Sequence, residues 1–317
     1  MSSVINYFAH SFIDRASDKR KDREWLEQQI RSDKSVFILF HVDRPFVKVD
    51  QLNKMFSLSK LNYAQVRFLL DDEKSKPLWL FLGVEYEKSK GKTEEESDPV
   101  LVDSPFADPL QYDRTVSKCW FAIETSAHDS NPQNIMSMFK EHGEFFEGNF
   151  LKLMTIHDRE EASVIAQARS VFCWHDRNKY CSTCGTSNRV EEAGFKLACD
   201  NAQCKSKDRA QNKFVPSNIH YPRVDPVVIM LIVNPARTHF LLGRKRQFPD
   251  KMFSCLAGYV EAGESIDEAV RRETFEEAGI YTNQVVYHSS QPWPFPSTLM
   301  IGCLAYATSS EINVDME

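Results

Sequence analysis

The stretch from Gly258 to Ile280, GYVEAGESIDEAVRRETFEEAGI, constrains the fold of this chain more than any other. Ser265 and Glu268 have the S-x-x-E spacing of a capping box, which predicts that a helix begins here. Gly279 stands where a helix ends on a left-handed residue. The predicted helix also has an apolar face that can pack on a sheet, formed by Ile266, Ala269 and Val270.

Three carboxylates lie within one turn of this helix. Glu273, Glu276 and Glu277 are spaced i, i+3 and i+4, so their side chains share one face. Like charges at this spacing oppose the helix by roughly 0.2–0.5 kcal/mol per pair, whereas a hard divalent cation gains oxygen ligands from them. From the carboxylates alone, a surface helix with a solvated acidic end explains the pattern equally well.

The spacing of the whole stretch separates these two interpretations. Its glycines and charged residues are placed as in the Nudix box, at Gly258, Glu264, Arg272-Glu273, Glu276-Glu277 and Gly279-Ile280. The resemblance implies a hydrolase that cleaves a nucleoside diphosphate linked to another group. Thr274 departs from the pattern, since the family usually has an aliphatic residue there. We expect this change to soften the packing of the helix without removing a ligand.

Length and charge limit the remaining possibilities. A chain of 317 residues predicts two or three domains. The net charge of −6 gives no overall basic field for binding nucleic acid. The longest apolar run, Val227–Val233, is far shorter than the ~20 residues of a membrane helix. No secretory signal is recognised, and the terminal Asp-Met-Glu is not a peroxisomal address of the Ser-Lys-Leu type. We expect no membrane association and a cytoplasmic or peroxisomal location.

Half of the eight cysteines fall in one short region. Two pairs separated by a strand-length segment have the spacing of a zinc ribbon, and they are Cys181, Cys184, Cys199 and Cys204. Four thiolates leave zinc no open position, so the predicted site holds one structural ion. The alternative is a set of free thiols in a reducing compartment.

The region before these cysteines carries no recognisable chemistry. Apolar strands are predicted at 35–40, 78–84 and 118–125, and helices at 21–31, 132–146 and 160–174. The predicted architecture is an α+β chain in three parts. Residues 1–159 form an α+β domain for scaffolding or dimerisation, residues 160–220 a helix and zinc ribbon, and residues 221–317 a domain with a mixed sheet.

A proline-rich segment, SQPWPFP at 290–296, follows the acidic helix. Three prolines remove amide donors, so this segment is not an internal strand and should present Trp293 and Phe295 on a stiff loop. Aromatic faces on a rigid loop suit stacking against a base or a nicotinamide ring. The alternative is a hydrophobic loop that covers the sheet edge. The segment resembles the motif of the NADH pyrophosphatase subfamily, in which the zinc ribbon and the entry segment at Tyr221 occur in the same order.

The resemblance implies a Nudix α/β/α sandwich, a homodimer, and hydrolysis of NAD(H) to NMN(H) and AMP. It also implies removal of NAD caps from RNA, which leaves a 5′-monophosphate RNA. Two or three Mg²⁺ or Mn²⁺ ions would be held by Ala257, Glu273, Glu276 and Glu277. Glu276 would be a third ligand or would position the water. Arg272 would pair with Glu264 or Glu276 and so orient the carboxylates. The implied substrate-binding residues are Tyr221, Gly258, Tyr259, Gln291, Pro292, Trp293, Pro294, Phe295, Pro296, Ser297 and Thr298.

The last residues of the chain differ from what the resemblance implies. Family members have another strand and helix after this point, together with one more metal-binding glutamate, and Glu317 stands near the position of that ligand. The sequence therefore suggests either a truncated Nudix domain or one whose active site is compromised. Two alternative functions also stay open. One is a Nudix hydrolase of another substrate such as ADP-ribose, and the other is a non-catalytic nucleotide-binding dimer partner.

Overall fold

A computed structural model of the chain describes residues 6–50, 52, 55–72, 75–88, 112–148, 158–206 and 219–315. The chain divides into two compact units. The first comprises Met1–Arg223 and Pro294–Ser297, and the second comprises Val224–Trp293 and Thr298–Glu317. The finer division into three parts, with boundaries at residues 159 and 220, stays a prediction. In the described part of the chain, no helix combines the length and the apolar character needed to cross a membrane.

The first unit contains a six-stranded sheet. Its strands are β1 (Val36–His41), β2 (Arg44–Asp50), β3 (Met55–Leu58), β4 (Trp79–Lys88), β5 (Tyr112–Glu124) and β6 (Glu144–Phe145). Their order is β3-β2-β1-β5-β4, and β6 pairs with β2. β1 and β5 are parallel, while the other pairs are antiparallel. The three strands predicted from apolar runs are confirmed as β1, β4 and β5.

The described residues of the first unit form the α-helices α1 (Arg23–Ile30), α2 (Tyr63–Leu70), α3 (Pro132–Met138) and α4 (Arg159–Arg177). The prediction of a helix over 132–146 was wrong beyond Met138. Gly143 has a φ of 145°, and an added Cβ there would lie 2.3 Å from the Val47 carbonyl oxygen. The chain therefore leaves the helix to approach β2, where Phe145 pairs with Phe46.

The cysteine region forms its own small sheet in the first unit. Strands β7 (Asn188–Glu191), β8 (Lys196–Cys199) and β9 (Ile219–His220) pair antiparallel in that order. A short 3₁₀ turn at Glu192–Gly194 joins β7 to β8. Cys199 is the last residue of β8, so the sheet fixes the position of this cysteine.

The second unit is built on a mixed sheet, as predicted. Its elements are β10 (Asp225–Val233), β11 (Phe240–Leu241), β12 (Leu256–Tyr259), α5 (Ile266–Ala278), β13 (Thr282–Trp293) and β14 (Thr298–Ala307). The strand order is β11-β10-β14-β13, with β12 also pairing with β10. β10 and β14 are parallel, and the other pairs are antiparallel.

Helix α5 is the predicted acidic helix, and its ends are as expected. Ser265 and Glu268 form the reciprocal capping box, and Gly279 ends the helix with a φ of 66°. The helix buries Ala269, Val270, Thr274 and Ala278. The predicted apolar face was wrong at Ile266, which is the first residue of the helix and is 41% exposed.

The proline-rich segment differs from the prediction in one respect. Residues Ser290 to Trp293 are not in a loop but form the end of β13, where Pro292 is opposite Leu299 and Trp293 is opposite Thr298. Only Pro294–Ser297 make the turn to β14. β13 is an edge strand, so the N–H that Pro292 lacks is not needed by a second neighbour. The prediction that the segment is not an internal strand is confirmed.

Candidate functional site

Arg272 connects the carboxylates of the acidic helix. Its Nε and Nη2 donate to the two oxygens of Glu264, both at 2.8 Å, which is a bidentate pair. Its Nη1 donates to Glu273 at 2.8 Å and to Glu276 at 2.9 Å. Nη2 also donates to the Tyr259 carbonyl oxygen at 2.9 Å. The sequence predicted a pair with Glu264 or Glu276, and the structure shows Arg272 bonded to both.

The charge states of this network follow from the pairing. The hydrogen bonds from Arg272 lower the pKa of Glu264 from 4.5 to about 2, assisted by the backbone N–H of Glu261. The same contacts raise the pKa of Arg272 above its ordinary value, with Glu264 as the largest cause. Glu264 and Arg272 thus form a permanent ion pair at neutral pH, which fixes the loop before α5 to the helix.

Gly258 makes room for the carboxylate of Glu273. A Cβ at position 258 would lie 1.8 Å from Cδ of Glu273 and 1.9–2.0 Å from its two oxygens. Gly258 lies in β12 opposite Val228 and does not have a positive φ. Its role is therefore the close approach of a side chain to the backbone, not an unusual turn.

The oxygen donors here suit a hard divalent cation. Glu273 and Glu277 are half-buried and Glu276 is exposed on α5, while Ala257 precedes Gly258 in β12. Within the described residues, only the cysteine cluster brings three or more ligand atoms within 4.8 Å of one another. Arg272 instead draws two of the glutamates to itself. Carboxylates and a backbone carbonyl are the donors that Mg²⁺ and Mn²⁺ prefer, so the donor set fits. Glu317 lies outside the described residues.

The implied substrate-binding residues differ in exposure. Tyr221 is 53% exposed in the first unit and Tyr259 is 60% exposed in the second. Gln291, Pro292 and Trp293 are half-buried in β13. In the turn, Pro296 is exposed and Phe295 is half-buried, while Pro294, Ser297 and Thr298 are buried. The exposed and half-buried members are the ones whose side chains a ligand can reach directly.

Three contacts within the first unit fix the Pro294–Ser297 turn. The Ser297 hydroxyl donates to the Arg223 carbonyl oxygen at 2.8 Å. The Phe295 ring lies edge-on to Phe8, with centroids 6.1 Å apart, and the Arg169 guanidinium carbon is 4.7 Å from its centroid. Sequence reasoning missed Arg169. The available signal was its position four residues after Ile165 and three before Phe172, a charge on an apolar helix face.

The four predicted cysteines are close together. The Sγ–Sγ distances are 3.4 Å for Cys181–Cys184, 3.5 Å for Cys184–Cys199 and 3.8 Å for Cys181–Cys204. Tetrahedral Zn–S bonds of ~2.3 Å require Sγ–Sγ edges of roughly 3.8 Å, so the cluster fits such an ion. The backbone N–H groups of Thr183 and Cys184 both donate to the Cys181 sulfur, at 3.3 Å.

The thiols of this cluster have divergent pKa values. Hydrogen bonds from Thr186 lower the pKa of Cys184 to about 6, and those from Ser206 lower the pKa of Cys204. Burial raises the pKa of Cys199 to about 12. Four thiolates at these distances repel one another, and a bound cation would compensate their charge. The cluster is therefore a group of four ligand atoms that could hold a metal ion.

Comparison with known proteins identifies the family of this chain. The NUDIX domain family matches residues 223–309. The NAD-capped RNA hydrolase of Schizosaccharomyces pombe is 31% identical over 319 residues, which cover 95% of this chain and 77% of that protein. The chain belongs to the Nudix family, in its NADH pyrophosphatase subfamily.

Other relatives cover less of their own length. The NAD-capped RNA hydrolase NUDT12 of Macaca fascicularis is 40% identical over 323 residues, which are 98% of this chain and 64% of that protein. The mitochondrial NAD(P)H pyrophosphatase NUDT13 of Homo sapiens is 33% identical over 206 residues, which are 63% of this chain and 53% of that protein. The chain thus spans just under two thirds of the length of the primate NUDT12 proteins it matches.

Proposed function

We propose that this chain hydrolyses the pyrophosphate of NAD(H) to NMN(H) and AMP, and that it removes NAD caps from RNA to leave 5′-monophosphate RNA. The observation that carries the proposal is the network at Arg272, which bonds Glu264, Glu273 and Glu276 of the Nudix box. The choice of substrate is supported by relatives named NAD-capped RNA hydrolases, which match nearly the whole chain.

The proposed cofactors are two to three Mg²⁺ or Mn²⁺ ions held by Glu273, Glu276, Glu277 and the carbonyl oxygen of Ala257. Divalent cations would neutralise the phosphate oxygens and lower the pKa of bound water. The chain itself supplies orientation. Gly258 lets the Glu273 carboxylate lie against the backbone of β12, and the Arg272–Glu264 pair keeps the loop and the helix in register.

The proposed substrate-binding residues are Tyr221, Gly258, Tyr259 and the segment Gln291 to Thr298. Among them, Tyr221 and Tyr259 offer exposed aromatic rings, which suit stacking on a base or nicotinamide. Ser297 and Thr298 are buried, so we propose that they act by fixing the backbone of the turn. Ser297 does this through its bond to the Arg223 carbonyl.

We further propose one structural Zn²⁺ bound by Cys181, Cys184, Cys199 and Cys204. The proposal is supported by ligand atoms within 4.8 Å of one another and by the charge of four thiolates, which a bound cation would compensate. A homodimer is proposed from the family resemblance alone. Light scattering of the purified chain tests the dimer, and metal analysis near one zinc per chain tests the ion.

Product analysis tests the activity. The full chain is incubated with NADH, NAD, ADP-ribose or NAD-capped RNA in Mg²⁺ or Mn²⁺, and chromatography should show NMNH and AMP from NADH. Much faster turnover of ADP-ribose would contradict the assigned substrate, and no cleavage at all would support a non-catalytic nucleotide-binding protein.

A matched pair of variants tests the metal assignment. Glu277→Gln should abolish turnover while the protein remains folded. Glu311→Gln makes the same change at an exposed carboxylate outside the Nudix box and should leave turnover unchanged. Turnover by Glu277→Gln at the wild-type rate would refute the assignment of Glu277 as a ligand.

A further inference from the structure

Three side chains far apart in the sequence form a chain of contacts in the first unit. Asp43 lies in the turn between β1 and β2, Arg169 in α4, and Phe295 in the Pro294–Ser297 turn. Arg169 Nη2 donates to the Asp43 carboxylate, and Arg169 Nε donates to the Asp43 carbonyl oxygen at 3.0 Å. The Arg169 guanidinium also contacts the Phe295 ring, whose centroid is 4.7 Å from the guanidinium carbon.

Burial makes the contact with the ring strong and its geometry fixed. The Arg169 side chain is only 12% exposed, and cation–π contacts gain strength when the cation is desolvated. Its Nη1 is buried and has no hydrogen-bond partner among the described residues. Two bonds to Asp43 leave the guanidinium little freedom to rotate, so the aromatic ring has one defined place to lie.

Phe295 is therefore covered on one face by protein. A ring in that position cannot offer that face to a substrate, and its edge meets Phe8. Phe295 therefore contributes to binding by fixing the position of the turn. The Ser297–Arg223 hydrogen bond does the same at the other end of the turn. The position of this turn depends on Arg169.

We propose that Arg169, held by Asp43, is a positioning residue for dinucleotide binding that acts through the ring of Phe295. The inference rests on the proposed function of the chain as an NAD(H) hydrolase. The proposed action of Arg169 is on the position of the turn, through its contact with Phe295. It gives the first unit, for which the sequence indicated only scaffolding or dimerisation, a defined part in substrate recognition.

The kinetic signature separates this role from a merely structural one. A turn that contacts the substrate before and during the reaction contributes uniform binding, and its loss raises KM while leaving kcat unchanged. Partial unfolding would instead lower kcat with KM unchanged, because fewer molecules are active. Arg169→Gln should raise KM for NADH by about 5- to 30-fold, the range expected for losing a desolvated cation–π contact.

Conservative and control variants sharpen the test. Arg169→Lys keeps the charge near Asp43 but loses the planar fork, so KM should rise less, by about 2- to 5-fold. Asp43→Asn leaves Arg169 in place and should raise KM in the same direction. Arg177→Gln makes the same change at an exposed arginine of α4 and should match the wild type. If Arg169→Gln does not fold, Asp43→Asn carries the test.

A double-mutant cycle decides whether Arg169 acts through the ring. Phe295→Leu removes the ring, and the double variant Arg169→Gln/Phe295→Leu should have the KM of Phe295→Leu alone, because the two changes remove one interaction. Additive effects on KM, or a fall in kcat without a change in KM, would overturn the inference. Failure of the wild type to cleave NADH would instead refute the proposed function.

Discussion

Replacing Gly258 with alanine tests how the Nudix box positions its glutamates. The added methyl group would lie 1.8–2.0 Å from the three carboxyl atoms of Glu273. The backbone at Gly258 does not have a positive φ, so alanine can adopt it without strain. The substitution therefore acts on the carboxylate and leaves the local conformation of β12 intact.

The expected loss can be estimated from these distances. Non-bonded atoms prefer a separation of about 3.5 Å, so the Glu273 carboxylate must move by roughly 1.5 Å from its position at 1.8–2.0 Å. The move also breaks its 2.8 Å bond to Arg272. Misplacing a catalytic group by about 1 Å can cost roughly 100-fold in rate. We expect kcat for NADH to fall at least that much, which corresponds to ~2.7 kcal/mol in activation free energy.

The assay is steady-state NADH cleavage with a titration of Mg²⁺, alongside thermal unfolding. Gly258→Ala should lose turnover with a melting temperature close to that of the wild type. Gly243→Ala is the matched control, because its Cβ would meet only Cδ2 of Leu256 at 2.9 Å, the end of a flexible side chain. Wild-type kcat in Gly258→Ala would refute the argument that this glycine exists to admit Glu273.

Three further predictions follow from buried or paired groups. Glu264 has a pKa lowered to about 2 by Arg272, so its ion pair stabilises the fold above pH 4.5 and is lost as the pH falls towards 2. In Glu264→Gln this part of the acid-induced decline in melting temperature should be missing. Cys184→Ser should reduce the zinc content measured by mass spectrometry well below one per chain and lower the melting temperature. Thr274→Val removes a buried hydroxyl without a hydrogen-bond partner among the described residues, and should raise the free energy of unfolding of the second unit by about 1 kcal/mol in denaturant titrations.

Features set by neighbouring residues were predictable from the sequence. The capping box of Ser265 and Glu268 and the left-handed Gly279 are present as expected, because each depends on contacts within a few residues. The four cysteines come together for a similar reason, since short spacings place each pair in one turn and a single hairpin brings the pairs together. The mixed sheet of the second unit also followed from its apolar runs.

Features set by distant residues were not predictable. The early end of α3 depends on Gly143 packing against Val47, nearly a hundred residues earlier in the chain. β13 extends through Trp293 because it is an edge strand that pairs with β14. The prolines themselves do not indicate this pairing. The contact of Arg169 with Phe295 joins two segments that lie far apart in the sequence and that no motif links.

Thr274 shows how stability and chemistry are separated on one helix. The sequence marked it as the departure from the Nudix pattern, with an expected effect on packing alone. In the structure it is fully buried, and its hydroxyl has no hydrogen-bond partner in the described part of the chain. An unpaired buried hydroxyl costs stability wherever it lies, but Glu273, one residue earlier, faces Gly258 and Arg272 instead of the core. Thr274→Val should therefore change the free energy of unfolding without changing kcat. Gly258→Ala should lower kcat and leave the free energy of unfolding nearly unchanged.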